Sequence, residues 1–113
     1  MSEHARNLRA LLGEMPASLR EAIAAAGGKQ AEVMAVTLPQ LPRKIGRDPL
    51  AAGRVHWGDS DVNLAAWRRC DAAAALMLLE ARATDAELVD LHAHGDLEER
   101  AMVLRSLALL PTG

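Results

Sequence analysis

Residues 72–79 read AAAALMLL, eight consecutive apolar residues, and they restrict the folds open to this chain more than any other feature. At about 100° per residue, eight helical residues point in every direction around the axis. A helix here has no polar side to give to water, so other elements must enclose it. Eight residues fall far short of the ~20 needed to cross a bilayer, so the enclosure is expected to be protein and no membrane span is expected. Four of the eight are alanines, whose small side chains let helices approach toward the short end of the roughly 8–10 Å range. The chain has little else to fill a core: Phe and Tyr are absent, and Trp57 and Trp67 are the only aromatics. The expectation is a tight but thin aliphatic core and moderate stability.

Helix signals run along the rest of the 113 residues, a length that suits one domain. Residues 3–12 read as a first helix closed by Gly13. Residues 16–26 read as a second, with Pro16 in its first turn and Gly27-Gly28 as its stop. A third runs from about Gln30 to Val36, where Pro39 and Pro42 forbid a regular continuation. Residues 39–59, with Gly46, Pro49, Gly53 and Gly58, form the irregular part. The apolar run then sits in a long helix, from about Asp61 to Ala83. Thr84 opens a Thr-x-x-Glu capping box for a helix from Asp85 to His94. Gly95 is read as its left-handed stop, and Asp96 begins a second box with Glu99. Apolar alternation is absent and β-branched residues are few, so no strand is expected. The fold class is all-α: a compact bundle or short superhelical stack of five to six helices.

Two charges interrupt the apolar faces. On the last helix Leu97, Ala101, Leu104 and Ala108 share one line, widened by Val103, Leu107 and Leu110, and Arg100 projects into that arc while Arg105 falls at its edge. On the long helix Asp71 points into the face made by Leu64, Trp67, Ala74, Ala75 and Leu78. One reading has Asp71 and Arg100 meeting as an interior ion pair, because an uncompensated buried charge costs several kcal/mol, roughly. The other is local: Arg100 bonds Asp96 one turn back, and Asp71 faces water or binds Arg68 or Arg69. The local reading is favoured for Arg100; for Asp71 both stand.

Three segments together resemble the EboA family of bacterial proteins. LPRKIGRDPL (Leu41–Leu50) resembles its proline-arginine, glycine-basic, leucine signature. WRRCDAAAALMLLEA (Trp67–Ala81) resembles its tryptophan, aspartate and leucine-run helix. HGDLEERAMVLRSLALLP (His94–Pro111) resembles its glycine-aspartate junction, glutamate-arginine pair and leucine-rich helix ending in proline. Two departures stand out: the family carries a basic residue near Ala74 or Ala75, and it continues into a second helical half, whereas this sequence ends at Gly113. The chain therefore matches a short member or the N-terminal half of one. The resemblance implies a helical, soluble protein encoded with enzymes of specialised-metabolite clusters. It carries over no catalytic residue.

The candidate site residues each have a plainer structural reading. Arg43, Lys44 and Arg47 cluster on a turn shaped by Pro42 and Gly46 and could hold a phosphate or carboxylate; the favoured reading is a solvated basic turn, capping a helix C-terminus or pairing with Asp48. His4, His56, His92 and His94 invite a metal, but helical residues 92 and 94 point about 200° apart, unlike the i, i+4 spacing that converges on one ion. No metal or other cofactor is expected. Cys70, the only cysteine, neighbours Arg68 and Arg69, which could lower its pKa; a buried inert thiol is favoured. Trp57 and Trp67 could line an apolar groove with arginine rims, or Trp67 fills the core and Trp57 covers its edge.

Net charge is −2, and no basic excess speaks for nucleic acid. Arginine outnumbers lysine eleven to two, a compositional bias silent on mechanism. Met1-Ser2-Glu3-His4 leads into no apolar segment, so a cytoplasmic protein without signal peptide is expected. The first functional expectation is a non-catalytic binding or scaffold module of an EboA-like pathway, with other proteins of the same cluster or a second copy as partners. The alternative is an enzyme or carrier of an amphipathic, terpenoid- or quinone-like small molecule. A flat apolar face on the outermost helices favours the former; a closed apolar pocket reached from residues 43–59 favours the latter.

Overall fold

A computed structural model of the protein describes residues 3–13, 15–28, 31–50, 53–57 and 60–110. Helices α1 (Glu3–Leu12), α2 (Ala17–Gly28) and α3 (Ala31–Thr37) lead into a 3-10 turn at Leu38–Gln40 and a short α4 (Leu41–Lys44). A hairpin of β1 (Arg54–Trp57) and β2 (Ser60–Asn63) follows, then α5 (Arg69–Ala81), α6 (Asp85–His94) and α7 (Leu97–Ser106). The class is mainly α, corrected from all-α by the antiparallel hairpin, in which Arg54 pairs with Asn63 and Trp57 with Ser60. Gly58, in the irregular stretch, and Pro111, ending the third resembling segment, lie outside the described residues.

The apolar run is where the enclosure argument puts it. Cys70 through Leu78 are all buried, and α5 packs against α1, α2, α4 and α7. Leu8, Leu12, Leu19, Ile23, Met34, Leu38 and Leu41 are among the residues around it with virtually no exposed surface. A radius of gyration of 12.6 Å suits a compact bundle of this length rather than an extended stack.

The central helix starts later than expected, at Arg69 instead of Asp61. The residues before it alternate: Val55 and Trp57 are half-buried between exposed Arg54 and His56, and Val62 and Leu64 are buried beside exposed Asp61 and Asn63. In the sequence these two runs flank Gly58-Asp59, a two-residue hairpin signal, but each is only four residues long. Three further boundaries differ. α2 continues through Gly27 and Gly28. The irregular stretch begins with helical turns, Pro39 and Pro42 each standing in the first positions of a new one, where a missing N–H costs nothing. And α5 ends on Arg82 in the left-handed region, φ 51°.

Gly95 corrects the reason given for it, not its place. Its φ of −86° and ψ of 161° are extended, so no left-handed stop is involved. A Cβ there would lie 2.9 Å from Glu99 Cβ and 3.0 Å from the Leu91 carbonyl; glycine is needed because α6 and α7 close tightly upon it. The capping box at Thr84 is complete, with Glu87 N donating to Thr84 Oγ1 at 3.2 Å and Thr84 N donating to Glu87 Oε1 at 2.9 Å. Asp96 caps α7 by accepting from Glu99 N at 2.8 Å, but the reciprocal bond from Asp96 N to Glu99 is not made, so the second box is half formed.

Candidate functional site

The N-terminus of α5 has backbone amides that no helical carbonyl can satisfy. A strap formed by residues 46–50 meets them: Arg69 N donates to Asp48 O at 2.9 Å and Cys70 N to Gly46 O at 3.1 Å, while Leu50 N donates back to Trp67 O at 2.9 Å. Gly46 adopts φ +95° to make this approach, a conformation that suits glycine. Asp71 completes the cap by accepting from Arg68 N at 2.8 Å.

That position takes the Asp71 carboxylate wholly out of solvent, and two guanidinium groups meet it there. Arg68 Nε and Nη2 donate at 3.3 and 3.4 Å. Arg105 Nη1 donates to both carboxylate oxygens, at 3.2 and 3.3 Å. Arg68 reaches on with Nη1 to Glu98 Oε2 at 2.8 Å, and Glu98 is gripped at both oxygens by Arg47, Nε at 2.7 Å and Nη2 at 2.9 Å. The result is a ladder, Arg105–Asp71–Arg68–Glu98–Arg47, binding α7, the start of α5 and the strap. Bonding to Arg47, and then to Arg68, holds the Glu98 carboxyl down at about 2. Bonding to Asp71 raises Arg68 well above its ordinary value. The bonds are charge-assisted and the Arg47–Glu98 contact is the two-point fork that arginine makes and lysine cannot.

The interior partner of Asp71 is thus Arg105, not Arg100. Arg100 turns back to cap α6, its Nε donating to His92 O at 3.1 Å and Nη2 to Ala93 O at 3.5 Å. α7 is turned about half a turn from the setting that its leucine periodicity predicts. Glu98 and Arg105 are seven residues apart and lie within about 20° of one another around a helix; both serve the ladder. The buried arc beside them is Met102, Val103 and Ser106, with the Ser106 hydroxyl satisfied by Met102 O at 2.7 Å. The leucine line taken as the inner face is outside: Leu97 is 84% exposed, Leu104 54% and Leu107 37%. Each unburied leucine forgoes up to about 1.5–3 kcal/mol of hydrophobic gain, but apolar residues on the opposite side of α7 recover much of it, so the charged contacts of Arg105 and Glu98 select the face. Met102 and Val103 supply the apolar contact instead.

The remaining candidates are dispersed. Arg43 is exposed in the last turn of α4, beside the negative end of its dipole. Arg47 pairs with Glu98 rather than with the neighbouring Asp48. Trp67 is 5% exposed within the core. Trp57 is half-buried with its ring 5.7 Å from that of His4. Cys70 is fully buried, and burial pushes its thiol pKa up. His94 turns to Asp90, Nδ1 to Oδ1 3.1 Å, while His92 faces elsewhere; among the described residues no group of three or more His, Cys, Asp or Glu could hold a metal ion.

The outward leucines create a feature that sequence reading missed. Between α6 and α7 runs an open groove of about 490 Å³, lined by Asp85, Leu88, Val89, His92, Ala93, Val103, Leu104 and Leu107. Leu88 and Val103 make its buried floor; Val89, 68% exposed, and Leu104 stand on its walls. Asp85 marks one end of α6, and the other carries His92 with the Arg100 guanidinium on its carbonyl. None of Arg43, Arg47, Trp57 or Trp67 lines it. Among the described residues no helix is long and apolar enough to cross a membrane. Compared with known proteins, the chain matches no family model, no curated protein and no solved structure.

Proposed function

We propose that this chain is a non-catalytic helical binding module whose docking face is the outer side of the α6–α7 hairpin. One observation carries the reading: Val89, Leu97, Leu104 and Leu107 are all exposed on this single pair of helices and their end, leaving one other large hydrophobic, Val36, exposed among the described residues. Clustered apolar exposure of this kind marks interaction surfaces rather than ordinary scatter. The groove's two titratable lining groups, Asp85 and His92, stand seven residues apart on α6, about 10 Å along the axis. That is too far for the hydrogen bond an acid–base pair requires, which favours binding over chemistry. With the resemblance of Leu41–Leu50, Trp67–Ala81 and His94–Pro111 to the EboA family, the natural partners in this reading are proteins of a specialised-metabolite cluster or a second copy.

A second reading is supported by size: about 490 Å³ lies within the range of small-molecule sites, so an amphipathic, terpenoid- or quinone-like molecule could ride in the groove. Both readings use the same face. Anilinonaphthalene sulfonate, a fluorescent apolar probe, tests it: the wild-type protein binds the probe and Leu104→Asp binds at least about tenfold more weakly. Equal binding by the two proteins contradicts the docking face.

A further inference from the structure

We infer that the occupant of the α6–α7 face is a second copy of this chain, the two hairpins closing face to face into a four-helix bundle. This rests on the docking-face reading and deepens it. The observation is the charge arrangement along the groove. Opposite charges stand at its ends: exposed Asp85 in the lining at the start of α6 and, just outside the lining at the other end, exposed Arg100, whose guanidinium lies on the carbonyls of His92 and Ala93. Because α7 runs back along α6, with Arg100 near its start meeting the end of α6, a two-fold axis through the middle of the groove exchanges the ends. Asp85 of each copy then faces Arg100 of the other. Such an interface must be complementary to itself, and a patch with apolar walls and opposite charges at its two ends meets that condition.

The apolar parts fit the same operation. Val89 and Leu104, near the middle, meet their own symmetry mates, filling the space above the buried floor of Leu88 and Val103. Aliphatic pairs at the seam with charges at the margins is the arrangement of antiparallel helix bundles. Size sets the strength. Two ten-residue helices offer a face about 15 Å long and roughly 20 Å wide. That is below the footprint of a standard interface, which buries about 800 Å² per partner, so association is weak and reversible. The marginal Asp85–Arg100 pairs set register more than affinity.

Sedimentation of the full chain from about 1 μM to about 1 mM, together with disulfide trapping, tests the inference. The expected results are a monomer–dimer equilibrium with a midpoint of about 10–100 μM, weakened at least about tenfold by Leu104→Asp and less strongly by Asp85→Lys. Val89→Cys forms an intermolecular disulfide under mild oxidation, whereas Val36→Cys, equally open on α3 but outside the groove, does not; the native Cys70 is buried and does not compete. A chain monomeric throughout, a dimer indifferent to Leu104→Asp, or equal trapping at positions 89 and 36 overturns the self-pairing. A monomer that still binds anilinonaphthalene sulfonate in a Leu104-dependent way overturns only this inference and leaves the docking face standing. A monomer that has also lost that dependence overturns both.

Discussion

Arg105 places one nitrogen within 3.3 Å of both carboxylate oxygens of Asp71, across 34 positions of sequence. Asp71 has no exposed surface, so this contact and the one from Arg68 replace the water it has lost. It also fixes the rotation of α7, because only one face of that helix carries both Arg105 and Glu98.

Removing the carboxylate therefore disturbs the fold at three points: the α5 cap, Arg68 and Arg105. Asp71→Ala is expected to cost about 3 kcal/mol, the low end for breaking a buried pair, since both arginines retain some access to water. Urea unfolding measures it. A double-mutant cycle of Asp71→Ala and Arg105→Ala should give a coupling of about 1–3 kcal/mol; additivity of the two single changes contradicts the contact.

The other half of the ladder predicts a pH effect. Glu98 is held at about 2 in the folded protein, against an ordinary 4.5. A depressed carboxyl contributes stability above its unfolded pKa and loses it as pH falls through the folded one. Melting temperature should thus fall between pH 4.5 and 2 more steeply in the wild type than in Arg47→Gln, by a few degrees at most because the pair is partly exposed. Parallel curves for the two proteins count against the Arg47–Glu98 grip.

Helix α7 gives a sharp contrast between neighbours. Leu97→Gln and Leu104→Gln should each change stability in dilute solution by less than about 0.5 kcal/mol, whereas Met102→Ala, with no exposed surface, should cost about 2–5 kcal/mol. Thermal denaturation of the three variants decides which face is inside.

Gly95→Ala should destabilise by about 1–2 kcal/mol through overpacking, since its Cβ would fall 2.9 Å from Glu99 Cβ and 3.0 Å from a main-chain oxygen. Its extended φ predicts no additional backbone strain. A neutral substitution, measured by urea unfolding, would show that the α6–α7 junction yields more readily than its spacing implies.

These contrasts show what the sequence could and could not reveal. The helix ends that use side chains within one turn were legible: Thr84 with Glu87, and Asp96 with Glu99. So was the enclosure of residues 72–79, since eight apolar residues in a row leave a helix no wet side. Asp71 was recognisable as a misplaced charge and Arg68 as a local partner for it, but Arg105 was not, because Arg105 and Arg100 both border apolar arcs of α7 and only tertiary packing selects one. Counting leucines chose the wrong side of α7 for the same reason: the opposite side also carries apolar residues, Met102 and Val103, and the contact of Arg105 with a carboxylate 34 residues away selects between the two. The hairpin was missed because each strand has four residues, too few for alternation to stand out. The arginine excess, silent as composition, supplies Arg47, Arg68 and Arg105 to one ladder, and Arg69 to a cap on Leu12 O at 2.7 Å.

The most direct test of the account is thiol labelling along α7 in dilute, folded protein. Cys70 is buried with a raised pKa, so it should stay inert to an aromatic disulfide reagent until the chain unfolds, and introduced thiols can be read singly. With the ladder setting the rotation of α7, Leu104→Cys reacts at close to the rate of an unfolded thiol and Val103→Cys is protected by about a hundredfold or more, the population ratio that a few kcal/mol of local opening allows. A protected thiol at 104 beside a reactive one at 103 would put the leucine line back inside and remove both the ladder's control of the helix and the docking face it exposes.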